Sequence, residues 1–136
     1  MLKTLIRLCG LALVAGVMIT GFAEEKAAKV KAPKMGKVRH MVALKFKDTA
    51  SPEQIKKVET SFAELKDKIP QIVTLEFGTN ISPEKLNKGF THGFLLSFKT
   101  EKDRDAYLVH PDHKAFGDSL GPVLADVFVF DFVAAK

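Results

Sequence analysis

The most constraining feature of the sequence is the run Val127–Val133, which is apolar on both faces of the strand it would form. Side chains alternate between the two faces of a sheet. The three phenylalanines of the run therefore share one face, and its valines share the other. A sheet with one face in water normally shows polar residues on that face. The run predicts a sheet that is covered on both sides.

Local patterns predict a strand followed by a helix at the start of the domain. Residues 38–46 alternate with period two, which indicates a strand. Ser51-Pro52-Glu53-Gln54 provides a capping serine, a first-turn proline and a glutamine suited to a capping box. Apolar residues then recur every three or four positions until Pro70, as on one face of a helix.

The rest of the domain predicts three more strands and a second helical stretch. The strands are expected at 72–77, 90–98 and 127–133, with a polar loop at 78–89. Thr100 caps the helical stretch, which Pro111 interrupts before it resumes over 112–120. The order β-α-β-β-α-β predicts an α+β, ferredoxin-like sheet with helices on one face.

Two helices cannot cover both faces of such a sheet, so the second face needs another partner. A second copy of the chain is the simplest cover, because two-fold homodimers are the commonest oligomers. The alternative is that the loop at 78–89 folds over this face, although its polar composition suits that role poorly. We therefore expect a homodimer.

The N-terminal segment has the pattern of a signal peptide. Lys3 and Arg7 precede an uncharged apolar run, and Gly21-Phe22-Ala23 offers small residues at the positions that a signal peptidase reads. We expect residues 1–23 to be removed, 24–36 to form a Lys/Ala-rich linker and 37–136 to form the domain. The alternative is an uncleaved anchor, but the run is shorter than the ~20 residues that span a bilayer. Export to the periplasm or outside the cell, without a stable membrane anchor, is the expectation.

Charge and cysteine content exclude several classes of function. The formal net charge is +5, but residues 41–136 carry 13 basic against 14 acidic side chains. The basic residues thus belong to the leader and linker, so no nucleic-acid-binding face is expected. The single cysteine, Cys9, lies in the leader. The mature chain would therefore lack disulfides, a cysteine nucleophile and thiolate metal sites.

Several motifs in this order resemble the stress-responsive dimeric α/β-barrel (Dabb) domain. The resemblance covers about residues 37–133, and its most specific part is Tyr107-Leu108-Val109-His110-Pro111-Asp112-His113. Further similar segments are His40–Lys47, the helix start at Ser51, Gly78-Thr79-Asn80, Thr91-His92-Gly93 and Asp131-Phe132. The resemblance implies a ferredoxin-like fold whose sheets pair face to face into a dimeric barrel.

The resemblance also implies candidate site residues. One branch of the family, the olivetolic acid cyclases, closes a linear polyketide by aldol condensation without a metal or organic cofactor. Carried over by motif, its pocket residues are His40, Tyr107 and His113, and all three types are present. Neutral histidine can accept a proton near pH 7, and a tyrosine hydroxyl can donate to a developing oxyanion. The alternative is structural: a hydrogen-bonded core histidine at 40 and a core-covering ring at 107.

These observations leave two hypotheses about function. In the first, the domain is a stress-associated binding module that holds a small apolar molecule between sheet and helices. In the second, it is a cofactor-free, polyketide cyclase-like lyase. No metal is expected, because Pro111 disrupts helical ligand spacing in the segment from His110 to His113, and only His92 is a further candidate. Glycine-rich phosphate loops and serine-nucleophile motifs are also absent from the sequence.

Overall fold

The computed structural model describes residues 36–135, so the predicted signal peptide and most of the linker lie outside the described residues. Four strands and three helices follow in the order β1 Val38–Phe46, α1 Pro52–Lys68, β2 Thr74–Thr79, β3 His92–Phe98, α2 Glu101–Leu108, α3 Pro111–Ser119 and β4 Leu124–Val133. Within this part of the chain, no helix is both long and apolar enough to cross a membrane.

The four strands form one antiparallel sheet in the order β2-β3-β1-β4. The α+β, ferredoxin-like architecture predicted from the sequence is confirmed. The second helical stretch consists of two helices, because Pro111 lacks the amide hydrogen that a continuous helix needs. β1 and β3 lie at the centre of the sheet, while β4 is an edge strand that pairs with β1 alone.

Helix α1 begins with the capping box that its sequence predicts. The Ser51 hydroxyl accepts from the amide of Gln54, and the Gln54 side chain accepts from the amide of Ser51 at 2.8 Å. The buried face of the helix then packs on the sheet, where the rings of Phe62 and Phe94 stack with centroids 3.9 Å apart. The cap and this stripe together determine which face of the helix meets the core.

Four strand boundaries differ from the sequence predictions. β2 continues to Thr79, beyond the predicted end at residue 77, and β4 starts at Leu124 instead of residue 127. β2 starts at Thr74 instead of residue 72, because the amide of Ile72 donates to the carbonyl of Ile69 in a turn. Ile72 is buried there, so its apolar character reflects packing of a turn against the core. β3 starts at His92 instead of residue 90, because the amide of Phe90 closes a turn with Asn87.

The helices cover one face of the sheet and leave the other open. The register places Phe128, Phe130 and Phe132 beside the outward residues of β1, and these rings are 46%, 51% and 41% exposed. The loop after β2 approaches this ridge at Phe128, whose ring centroid lies 6.5 Å from that of Phe90, and leaves all three rings about half exposed. The valines of β4 share the helix-facing side with Asp131, yet Val127 and Val129 also stay about half exposed at the sheet edge. A single copy of the domain therefore leaves a large apolar surface in water.

Candidate functional site

Three residues singled out by the sequence come together between the sheet and the helices. His40 points from β1 toward the helices and is buried. The ring of Tyr107, near the end of α2, lies 5.5 Å from the His40 ring and 4.3 Å from that of His113, on α3. The break at Pro111 brings the start of α3 next to the end of α2. Their convergence is a geometric result, and their role in function stays a prediction.

The hydrogen bond of His40 determines which of its nitrogens is engaged. His40 and Asp131 are directly opposite each other on β1 and β4, and Nδ1 of His40 lies 2.6 Å from Oδ1 of Asp131. An ionised carboxylate can only accept, so Nδ1 carries the proton and Nε2 of the neutral ring is an acceptor. Among residues 36–135, no side chain or backbone group bonds to this Nε2.

The tautomer of His113 follows from a backbone contact. Its Nδ1 donates to the carbonyl of Leu108 over 3.1 Å, which leaves Nε2 as the basic nitrogen of the neutral ring. Burial lowers the pKa of His113, the bond to Leu108 partly opposes this effect, and positive charge on His40 or His110, when either ring is protonated, lowers the pKa further. His113 is therefore a neutral base at pH values where an exposed histidine is partly protonated.

Tyr107 is suited to donate a hydrogen bond. Burial, reinforced by the charge of Asp131, raises the pKa of the Tyr107 phenol well above its ordinary value, so the hydroxyl stays protonated. The hydroxyl has no hydrogen-bond partner among the described residues. Tyr107 as a whole is 1% exposed, so little of the hydroxyl can reach solvent. Phe98 packs 5.2 Å from the Tyr107 ring and forms an apolar wall.

Two charged residues complete the cluster, and sequence reasoning gave neither a site role. Asp131 uses one oxygen for His40, while its other oxygen contacts the guanidinium of Arg104 on α2. One sequence feature could have indicated a special role for Asp131, because it places a carboxylate between two valines on one face of an otherwise apolar strand. Arg104 had no such signal, because only the packing of α2 against the sheet brings it to β4.

The other two histidines of the domain lie in different settings. His110 is the N-cap of α3, where its ring accepts from the amide of Asp112. His92 is buried at the far end of β3, 3.4 Å from Glu59. Within residues 36–135, no three His, Cys, Asp or Glu side chains are arranged to hold a metal ion.

Two cavities of the domain bear on this cluster, one beside it and one on the opposite face of the sheet. A cavity of about 320 Å³ is lined by Arg104, Asp131 and Phe132. A cavity of about 380 Å³ lies on the open side, where Ala43, Gly78 and Gly93 contribute little or no side chain. The cluster of His40, Tyr107 and His113 and the cavity of about 380 Å³ therefore lie on opposite faces of the sheet.

The comparison with known protein families agrees with this architecture and this residue set. The model of the stress-responsive A/B barrel domain matches residues 38–134. The chain belongs to this family. The match spans all four strands and all three helices, including the segment from Tyr107 to His113 that carries the sequence resemblance.

Three relatives show the range of proteins that share this domain. The stress-response A/B barrel domain-containing protein HS1 of Arabidopsis thaliana is 32% identical over 97 residues, which are 71% of this chain and 89% of that protein. Olivetolic acid cyclase of Cannabis sativa is 26% identical over 99 residues, or 73% and 98% of the two chains. A solved dimeric ferredoxin-like protein from Thermobifida fusca is 27% identical with a TM-score of 0.64, covering 75% of this chain and 93% of its own.

Proposed function

We propose that this stress-responsive A/B barrel protein is an exported homodimer that binds a small apolar molecule at the cluster of His40, Tyr107 and His113. The observation that carries the proposal is the contact of three rings whose polar atoms are only partly used. His40 Nε2 and the Tyr107 hydroxyl have no partner among residues 36–135. A ligand with one or two polar atoms can satisfy them.

The charges around the cluster favour an uncharged or weakly acidic ligand. Arg104, which contacts the carboxylate beside His40, is already paired with Asp131 and Asp105. A carboxylate ligand would have to compete with both of these side chains. Because His113 is neutral, it offers a hydrogen-bond acceptor to a ligand and no positive charge.

Ligand capture tests the binding function directly. Protein isolated from its native host is extracted, and the released small molecules are measured by mass spectrometry. We expect the wild type to release an apolar molecule. The amount released should be about tenfold lower for His113→Ala and for Tyr107→Phe, as for the loss of one hydrogen bond. His92→Gln is a matched histidine control, since His92 pairs with Glu59 outside the cluster. Equal capture by all four proteins would contradict the proposed site.

A second candidate function is supported by the tautomer of His113. With Nδ1 bonded to Leu108, Nε2 of the neutral ring can take a proton from a carbon next to a carbonyl. The Tyr107 hydroxyl can donate to the enolate oxygen that forms, and His113 can return its proton in a later step. This is a cofactor-free proton transfer of the kind a lyase or aldol cyclase needs, and olivetolic acid cyclase is among the relatives.

The homodimer is proposed from the open face of the sheet. The ridge of phenylalanines on β4 stands beside a hollow, because the register runs Phe128–Ala43–Gly93–Gly78 across the sheet. Two copies related by a two-fold axis can place the ridge of one in the hollow of the other. The dimeric ferredoxin-like protein of Thermobifida fusca supports such an assembly for this chain. The ridge would then be removed from water.

Export is proposed from the leader and has its own test. Protein recovered from the extracytoplasmic fraction of its host should begin at Glu24, since signal peptidase reads the small residues at Gly21 and Ala23. Mass spectrometry of the N-terminal peptide measures this directly. Ala23→Lys should block cleavage and keep the chain in its longer form. An intact Met1 on wild-type protein from that fraction would contradict the proposal.

A further inference from the structure

Arg104 occupies an unusual position for a cation on a short helix. Its side chain is 19% exposed, and it reaches from α2 to the edge strand β4. Nε donates to Asp105 over 2.8 Å, while Nη1 contacts Oδ2 of Asp131. Arg104 precedes Tyr107 by three residues, so both side chains project from the same side of α2. The guanidinium thus touches the carboxylate that holds His40.

We infer that Arg104 is a positioning residue: it holds Asp131 against His40 and so fixes which nitrogen of His40 offers a lone pair to the site. The inference rests on the proposed site, but its test needs no ligand. Arg104 takes one oxygen of the carboxylate and leaves the other for Nδ1 of His40. With two different partners, the carboxylate is held in a single orientation.

The exposure of Asp131 explains why it needs such a partner. Asp131 lies on an edge strand, and its side chain is 28% exposed, whereas that of His40 is 4% exposed. Water competes for a carboxylate in this position, and rotation of the side chain toward solvent would leave Nδ1 of His40 without an acceptor. A neutral imidazole without such a partner mostly carries its proton on Nε2. The lone pair would then move to Nδ1, away from its position in the wild-type site.

Asp131 is the group around His40 that determines which ring nitrogen carries the proton. The groups that face its ring are Phe98 from β3, Tyr107 from α2, and His113 as a nearby imidazole on α3. None of them bonds to a ring nitrogen of His40 in the described part of the chain. Asp131 therefore sets the tautomer, and Arg104 is the charged group that holds Asp131 in place.

Nitrogen-15 NMR of the histidine rings tests the inference on the intact mature domain. The His40 signals are assigned with a His40→Gln variant. In the wild type we expect Nδ1 to be the protonated nitrogen of neutral His40. In Arg104→Leu we expect that form to lose its predominance and Nε2–H to appear. Arg104→Lys, which keeps a cation for Asp131, should largely restore the wild-type spectrum.

Lys102→Leu is the matched control, because it removes the same charge from an exposed position of the same helix. It should leave the His40 spectrum unchanged. An unchanged spectrum in Arg104→Leu would overturn the inference and make Arg104 an ordinary surface ion pair. If Arg104→Leu does not fold, the same spectrum of Arg104→Gln decides in the same way. Normal ligand capture by His113→Ala would instead contradict the proposed function and leave the NMR result intact.

Discussion

Replacing Phe130 with aspartate is expected to separate the proposed dimer. Phe130 lies between Phe128 and Phe132 on the open face, opposite Met41 of β1, and is 51% exposed in one copy. In the proposed assembly this ring meets a second sheet, so the substitution would place an unpaired carboxylate against apolar side chains in each copy. Such a burial costs about 3 kcal/mol or more, which corresponds to at least about a hundredfold weaker dimer.

Sedimentation velocity at micromolar concentration measures this effect. The wild type should sediment as a dimer, and Phe130→Asp as a monomer or an unfolded chain. Val109→Asp is the matched control, because Val109 is 64% exposed and lies on the helical side between α2 and α3. A monomeric wild type would contradict the assembly altogether. A dimeric Phe130→Asp protein would place the interface on another surface.

The second large effect is expected at His113, if the cluster transfers protons. The assay is exchange of the hydrogens next to the carbonyl of a medium-chain methyl ketone with deuterated water, followed by NMR. His113→Ala should slow the catalysed exchange by roughly 10²–10⁴-fold, the usual contribution of a general base. Tyr107→Phe should slow it as well, because the enolate oxygen loses its donor.

The pH dependence of this exchange follows from the lowered pKa of His113. The reaction needs the neutral ring, so its rate is retained as the pH falls through the ordinary range of histidine. It is lost only at the lower pH where His113 itself becomes protonated. A rate that already falls in the ordinary range of histidine would show that the base is a histidine other than His113.

His110→Ala is the matched histidine control for this assay. His110 caps α3, so its loss should cost about 1 kcal/mol of stability while exchange continues. Melting curves separate a site role from a structural one. If His40→Ala, Tyr107→Phe and His113→Ala lose stability together, and the wild type gives no exchange above background, the cluster has no catalytic role. Normal ligand capture by the same three variants would make these residues framework.

The parts of the fold that could be predicted from the sequence are those determined by neighbouring residues. The capping box at Ser51 and Gln54, and the break at Pro111, depend on contacts within a few positions. The start of β2 could not be predicted in this way. Ile72 is as apolar as a strand residue, and only the packed core shows that it belongs to a turn.

The candidate site likewise has residues that local motifs indicate and contacts that depend on the packed fold. His40, Tyr107 and His113 could be singled out from a sequence resemblance, because their motifs are local. The bond between His40 and Asp131 depends on the register of β1 against β4, which joins residues 91 positions apart. The contact of Arg104 depends further on where α2 packs. No local sequence pattern indicates either contact, so neither Asp131 nor Arg104 could be predicted as part of the site.

The alternation of β4 places neighbouring residues in two different roles. Phe130 and Phe132 point to the open face, and Asp131 between them points to the ring cluster. In the proposed dimer, the association that orders the two phenylalanines also orders the backbone that holds the carboxylate. Subunit association and ligand affinity are then thermodynamically linked, and each must strengthen the other by the same factor. Dilution would weaken ligand binding, and a bound ligand would tighten the dimer.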